Sequence, residues 1–326
     1  MAMPQLVEKE WIFLASGSSG NASIVRWGQT CVLLDAGIGV RGLEKSLLMA
    51  GLRSDQIKAV VLSHTHSDHC NPLTIMAFLE KRIPVFLEGT LIPALRKKMN
   101  EEIANFLIPL RAGGKKEILP GWMLKSFPLP HGDMPNLGIV LELDPGLFEP
   151  AFRLGYLTDL GTWSNEIAQF ASECDLLGLE FNHDVEMQKS SNRPSYLIQR
   201  NLGDGGHLSN EQAAACFKKI LSQSLDRFPR YLVQLHLSRQ CNTPSLAKSA
   251  AEAVLEMSSA QKIQVKTCKP GAFRLRIPWC SPRNRKDFGT LKKLPGVVPN
   301  NLVKRPKKRA NPPEQLDLPF SFFPME

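Results

Sequence analysis

The sequence predicts an α/β fold in which helices cover the sheets. Three observations carry that expectation. Short apolar runs of strand length recur at residues 11–15, 31–34, 59–62, 85–87, 138–143, 154–157, 176–181 and 231–237. Helical patterns with recognisable start signals lie between and after them. Strands in the first half are separated by short turns or helices, which is how covered sheets are connected.

The helices are justified one by one. Residues 43–52 carry a helical pattern. Residues 73–79 follow Pro72, whose fixed φ suits a first helical turn. Residues 210–221 follow Ser209, and Ser209 with Gln212 has the spacing of a capping box. Thr243 before Pro244 caps a helix that runs through Met257. No internal repeat or low-complexity segment is visible before residue 281.

The chain has 326 residues, of which 43% are hydrophobic and 22% charged. That is ordinary globular composition with ample material for a core, and it excludes global disorder, collagen and coiled coil. No apolar run approaches the roughly 20 residues a membrane helix needs. The first ten residues lack the positive and apolar regions of a secretory signal. The seven cysteines, at 31, 70, 174, 216, 241, 268 and 280, form no CxxC pair. They read as reduced thiols, so a cytoplasmic location is expected.

The net charge of +9 is unevenly spread. Residues 281–326 hold ten Lys/Arg, four Asp/Glu and eight of the 24 prolines. The chain therefore divides into a nearly neutral body, 1–280, and a basic, Pro-rich tail, 281–326. The tail is too poor in apolar residues to fold alone. Its charge suits a polyanion such as nucleic acid, or simply confers solubility.

The chemistry concentrates at His64-Thr65-His66-Ser67-Asp68-His69, directly after an apolar strand. Four metal-capable side chains within six residues can converge at a strand's C-terminal end without disturbing the sheet. Imidazole and carboxylate suit zinc, manganese or iron. Two histidines two apart can face one ion, while the following Asp and His face a second.

This His-x-His-x-Asp-His string resembles the signature of the metallo-β-lactamase fold, a four-layer αββα sandwich. Asp35 in Asp35-Ala36-Gly37 is similar to that fold's first motif, where an Asp steadies a ligand. His131 in Pro130-His131-Gly132, Asp159 in Thr158-Asp159-Leu160-Gly161 and His236 in Leu235-His236-Leu237-Ser238 resemble the later motifs, in order. The resemblance covers about residues 11–268. It implies two divalent ions, Zn, Mn or Fe. One would be held by His64, His66 and His131, the other by Asp68, His69 and His236. Asp159 would bridge them.

A narrower likeness is carried by Ser16-Gly17-Ser18-Ser19-Gly20-Asn21, Phe181-Asn182-His183-Asp184, Gly206-His207-Leu208-Ser209 and Asn242-Thr243-Pro244. Together these resemble the YycJ/WalJ family, related to tRNase Z and β-CASP nucleases. Gln240-Cys241-Asn242 departs from that family's pattern, which carries an Asn-Asn string there. The likeness implies a 5′-to-3′ DNA exonuclease. His207, after two glycines, is the candidate phosphate binder or leaving-group acid, alongside Asp68 in the catalytic set. His183 would line the site or order a ligand. Ser16–Gly20 is either an anion nest or a tight hairpin.

Two tail segments complete the expectations. Lys304-Arg305-Pro306-Lys307-Lys308-Arg309 can release counterions from a nucleic-acid backbone. Gln315, Leu316, Leu318 and Phe320 resemble the hexapeptide that binds the bacterial sliding clamp, an extended peptide with apolar anchors. The leading expectation is a dinuclear metal-dependent phosphodiesterase acting on DNA in replication or repair, with DNA favoured over RNA and no membrane partner. The competing expectations are an RNA-processing nuclease, a small-molecule metallo-hydrolase, and a non-catalytic DNA or clamp adaptor.

Overall fold

The computed structural model describes residues 8–97, 99–144, 151–258, 262–279 and 283–284. The basic run at 304–309 and the hexapeptide at 315–320 lie outside the described residues. The chain divides into two units, Met1–Pro295 and Gly296–Glu326, and every described residue belongs to the first.

The first half of the chain supplies strands β1 (Lys9–Ser16), β2 (Ala22–Trp27), β3 (Thr30–Leu34), β4 (Ile57–Val61), β5 (Val85–Glu88) and β6 (Leu107–Leu110). There follow β7 (Lys115–Leu119), β8 (Trp122–Leu129), β9 (Asn136–Leu143), β10 (Phe152–Leu157), β11 (Leu176–Glu180), β12 (Arg227–Phe228) and β13 (Tyr231–Leu235). The last are β14 (Gln264–Thr267), β15 (Gly271–Pro278) and β16 (Arg283–Asn284). They form two seven-stranded sheets, ordered β15-β1-β2-β3-β4-β5-β6 and β14-β13-β11-β10-β9-β8-β7. Each sheet joins an antiparallel meander to a parallel run. A separate short pair, β12 with β16, extends the body past residue 280.

Alternation along the strands sorts side chains into three apolar layers. Trp11, Phe13, Val32, Leu34 and Val61 of one sheet meet Leu154, Tyr156, Leu176, Val233 and Leu235 of the other. Their neighbours Ile12, Leu14, Leu33 and Val60 face outward onto α1 (Val40–Met49) and α2 (Pro72–Glu80). The short helices α3 (Ile92–Arg96), α4 (Glu101–Ala104), α5 (Asn165–Phe170), α6 (Val185–Lys189) and α7 (Ser195–Leu202) follow. On the second sheet's outer face Leu177, Leu179 and Leu232 pack with α5, α8 (Asn210–Gln223) and α9 (Pro244–Glu256). The result is the helix–sheet–sheet–helix sandwich that the resemblance implies.

The two sheets pack closely at Gly178. A Cβ there would lie 2.6 Å from Cη2 of Trp11, so only hydrogen fits between the ring and the strand.

The caps read from the sequence are present. Ser209 and Gln212 form the capping box, and Thr243 accepts from the Leu246 amide. Some boundaries differ, for physical reasons. The first helix starts at Val40 and stops at Met49 because Gly51 (φ 71) turns left-handed. The Leu52 amide then reaches back to the Leu47 carbonyl, closing a Schellman motif. The strand expected over 231–237 ends at Leu235, where His236 also turns left-handed.

Candidate metal centre

All the sequence-selected histidines and carboxylates lie at one end of the sandwich. β1, β3 and β4 run in one direction in the first sheet, and β8, β10, β11 and β13 run in one direction in the second. Each functional loop leaves the C-terminal end of one of these strands, where the backbone is free to turn over the sheet edge. Asp35 follows β3, the His64–His69 loop follows β4, His131 follows β8, Asp159 follows β10, and His236 follows β13.

Three of these residues are held in left-handed backbone: Asp35 (φ 56), Asp159 (φ 56) and His236 (φ 53). For residues other than glycine that conformation costs roughly 1 kcal/mol or more each, and it persists only where the surroundings enforce it. Here hydrogen bonds enforce it. The Asp35 amide donates to Val61, the Asn136 amide group donates to the Asp159 carbonyl, and the His236 amide donates to Ser16 Oγ. The loop after β3 is also stitched to the His64–His69 loop by Ala36 N to His69 O at 2.8 Å. A Cβ at Gly37 would collide with the Asp68 carbonyl, so this close approach needs glycine.

Among the described residues the donor atoms gather into four overlapping groups, two of which share Asp159: His64, His69 and Asp159, and Asp159, Glu180, His207 and His236. One nitrogen each from His64, His66 and His131 lie within 4.8 Å of one another. So do one donor each from Asp68, His69 and His236. Asp159 sits between the two groups: Oδ2 is 2.9 Å from His69 Nε2, and Oδ1 is 3.7 Å from His131 Nε2 and 3.6 Å from His236 Nδ1. His64, His69, His131, Asp159 and His236 are buried, while the Asp68 side chain keeps some exposure.

The ring orientations are set from behind. Asp35 Oδ2 lies 2.7 Å from His69 Nδ1, which leaves Nε2 facing the centre. Asp35 is fully buried and also accepts from the Ser63 amide (2.7 Å) and the Tyr156 hydroxyl (2.7 Å). His131 Nδ1 donates to the Gly206 carbonyl at 2.9 Å, which leaves its Nε2 as the free lone pair. Such partners fix tautomer and direction, as metal-binding imidazoles require.

The electrostatics fit a cation-binding centre. Burial pushes His64, His66 and His131 down, with neighbouring imidazoles adding to it, so these rings are neutral and their lone pairs available. Burial alone would lower His69 and His236 too. Nearby carboxylates outweigh it: Asp159 and Asp35 raise His69, while Asp159, Asp68 and Glu180 raise His236 to about 10. Burial alone would raise Asp68 and Asp159, yet the histidines hold both well below the usual carboxylate range. A buried excess of negative charge is thus balanced by protons on two rings that carry ligand nitrogens. Divalent cations would balance it in their place.

Glu180 belongs to this site and the sequence reading missed it. It closes β11, is fully buried, and places Oε1 2.9 Å from His207 Nδ1 and 3.1 Å from His236 Nδ1. Its other oxygen accepts from the Leu160 and Leu208 amides. Burial would raise this carboxyl, but His207 and His236 hold it down at about 2. The available signal was a lone carboxylate ending an otherwise apolar strand, Leu176-Leu177-Gly178-Leu179-Glu180.

His207 is brought to the centre, partly exposed, 3.5 Å from Asp159 Oδ1. His183 is fully buried and neither ring nitrogen has a hydrogen-bond partner. It stands in none of the ligand groups, and its backbone pairs with Ser209. The Gly17–Gly20 segment is a tight turn, Gly20 N to Gly17 O at 2.9 Å, linking β1 to β2. It also delivers Asn21, whose Nδ2 lies 2.8 Å from His69 Nε2.

The chain is similar to several known proteins. Exodeoxyribonuclease YycJ of Bacillus anthracis is 28% identical over 251 residues, covering 74% of this chain and 88% of that protein. Exodeoxyribonuclease WalJ of Streptococcus pneumoniae is 28% identical over 239 residues, covering 73% and 85%. The crystal structure of the metallo-beta-lactamase fold protein YhfI from Bacillus subtilis superposes with a TM-score of 0.55 at 16% identity. That match covers 82% of this chain and 99% of YhfI. The family described as the beta-lactamase superfamily domain matches residues 30–226, which run from β3 past α8 and include every candidate ligand except His236. With that match spanning more than half its length, the chain belongs to the beta-lactamase superfamily.

Proposed function

We propose that the chain is a two-metal phosphodiesterase that digests DNA from the 5′ end, in the cytoplasm, during replication or repair. The observation that carries this reading is the placement of Asp159 between two three-residue donor groups. The DNA assignment is supported by the names of the two exodeoxyribonuclease relatives and by the net positive charge of residues 281–326. The hexapeptide at 315–320 would deliver the enzyme to DNA through the bacterial sliding clamp.

In this reading His64, His66 and His131 would hold one ion and Asp68, His69 and His236 the other, with Asp159 available to both. Zinc, manganese or iron there would supply Lewis-acid charge to a phosphoryl group and lower the pKa of a water. The chain's own residues do the rest. Asp35 and the Gly206 carbonyl keep His69 and His131 aimed at the centre. Glu180 engages His207 Nδ1, so Nε2 is the nitrogen left to meet substrate. From there His207 gives a proton to the departing sugar oxygen.

The test is digestion of end-labelled duplex DNA and matched RNA by the metal-loaded protein, with EDTA and an Asp68→Ala/His69→Ala variant alongside. Metal-dependent loss of the 5′ label from DNA, absent in the variant, is the expected result. Cleavage of RNA alone would replace the reading with an RNA-processing nuclease. Silence on both would replace it with a small-molecule hydrolase or an adaptor.

A further inference from the structure

Beside the metal centre, three loops with no acidic residue meet: Ser16–Asn21, Ser190–Pro194 and Leu237–Thr243. Two arginines tie them together. Arg193 donates from Nη2 to Ser238 Oγ at 3.2 Å and from Nε to Gln240 Oε1 at 2.9 Å. Arg239 donates from Nη2 to Ser19 Oγ at 2.9 Å. All these partners are neutral. Elsewhere Arg26, Arg153, Arg227 and Arg276 lie against carboxylates. Among the described residues, Arg193 and Arg239 have no carboxylate within ion-pair distance.

We propose that Arg193 and Arg239 clamp a phosphate of the substrate strand, one or two nucleotides from the one being cleaved. The proposal rests on the nuclease reading above and adds the residues that hold the strand. Position supports it. Ser238 is two residues past His236, and Ser19 is two before Asn21, which touches His69. Two residues of chain span at most roughly 7 Å, so the Ser238 tether starts within a nucleotide's length of the ligand His236, and the Ser19 tether within the same span of Asn21.

Chemistry supports it too. A guanidinium carries five donors in a rigid fork that matches phosphate oxygens. The observed bonds use two donors of Arg193 and one of Arg239. Hydroxyl and amide tethers hold each fork in place without neutralising it. Ordering before binding lowers the entropy lost on binding. Arg239 is exposed and Arg193 half-buried, so both reach solvent.

The test is equilibrium binding by the metal-loaded full chain, read by fluorescence anisotropy across a range of salt. The probe is a labelled oligothymidylate with phosphorothioate linkages to suppress cleavage. An Arg193→Gln/Arg239→Gln variant should bind at least tenfold more weakly. Its slope of log K against log salt should shrink by about 0.7, the value for one phosphate neutralised on a single strand. An Arg193→Lys/Arg239→Lys variant should keep the wild-type slope, because the charges remain. A Gln variant with unchanged affinity and slope, in a protein that binds the probe, overturns the clamp and leaves the nuclease reading standing. A Lys variant that loses the slope as the Gln variant does also overturns it. Wild-type protein with no salt-dependent binding overturns both.

Discussion

Asp35 Oδ2 and His69 Nδ1 lie 2.7 Å apart, both side chains fully shut off from water, although 34 residues separate them in the chain. Asp35 itself stands in none of the donor groups. It acts by aiming His69. Asn is the informative replacement, because it tolerates the left-handed backbone at this position and removes the charge together with one of the two accepting oxygens. Asp35→Asn is expected to weaken metal binding about 10- to 100-fold, the usual cost of losing such a partner. Competition against a calibrated chelator measures it. Unchanged affinity would mean that Asp35 only supports the fold.

The pairing of Glu180 with His207 makes a kinetic prediction. Replacing His207 by Gln should lower kcat on DNA about 100-fold or more, the scale of a lost general acid. The loss should be much smaller on the 4-nitrophenyl ester of thymidine 5′-monophosphate, whose leaving group departs without a proton. Equal losses on both substrates would assign His207 to binding rather than to protonation.

The contact between Gly178 and Trp11 is a claim about packing. Gly178→Ala puts a methyl where 2.6 Å separates its position from the indole ring. Overpacking of this kind costs about 1–3 kcal/mol. Urea unfolding should show a lower midpoint with an unchanged slope. An unaltered midpoint would mean the sheets part without cost at this point.

Asp175 gives a pH dependence away from the metal centre. Burial raises its carboxyl to about 6, against smaller opposing effects from the Arg153 amide and the Arg227 guanidinium. The folded state therefore holds a proton that the unfolded chain releases at lower pH. Stability falls as pH rises from about 4 through 6, by on the order of 2–3 kcal/mol for a shift of this size. Asp175→Asn removes that loss. Its stability relative to wild type should climb across this interval and level off above it, as read by denaturation at several pH values. A flat difference would show that Asp175 stays ionised throughout.

Much of the site was legible because its ligands cluster in sequence. His64, His66, Asp68 and His69 share one loop, and Asp159 and His236 each follow an apolar strand. Asp35, His131, Asp159 and His236 could be placed by motif order, and the structure brings all of them to one end of the sandwich. Glu180 was not legible, because a single carboxylate after Leu179 carries no spacing signal. Its role appears only when β11 lies beside β13 and brings it to His236. The Tyr156 hydroxyl on Asp35 is hidden in the same way, since its contact spans 121 residues and the gap between the sheets. Strand β7 was missed for the opposite reason: Lys115, Lys116 and Glu117 face solvent at a sheet edge, where no apolar alternation is needed. The structure also makes His183 less prominent than the sequence did, since its ring is buried outside the ligand groups.

The central claim is that Asp159 joins two metal sites into one centre. Native mass spectrometry of the full chain, loaded with zinc or manganese, tests it most directly, with Asp159→Asn as the comparison because Asn accepts the same backbone. The account predicts two divalent ions per chain, and weakened retention of both in the variant. One ion per chain, held equally well by wild type and variant, would contradict it.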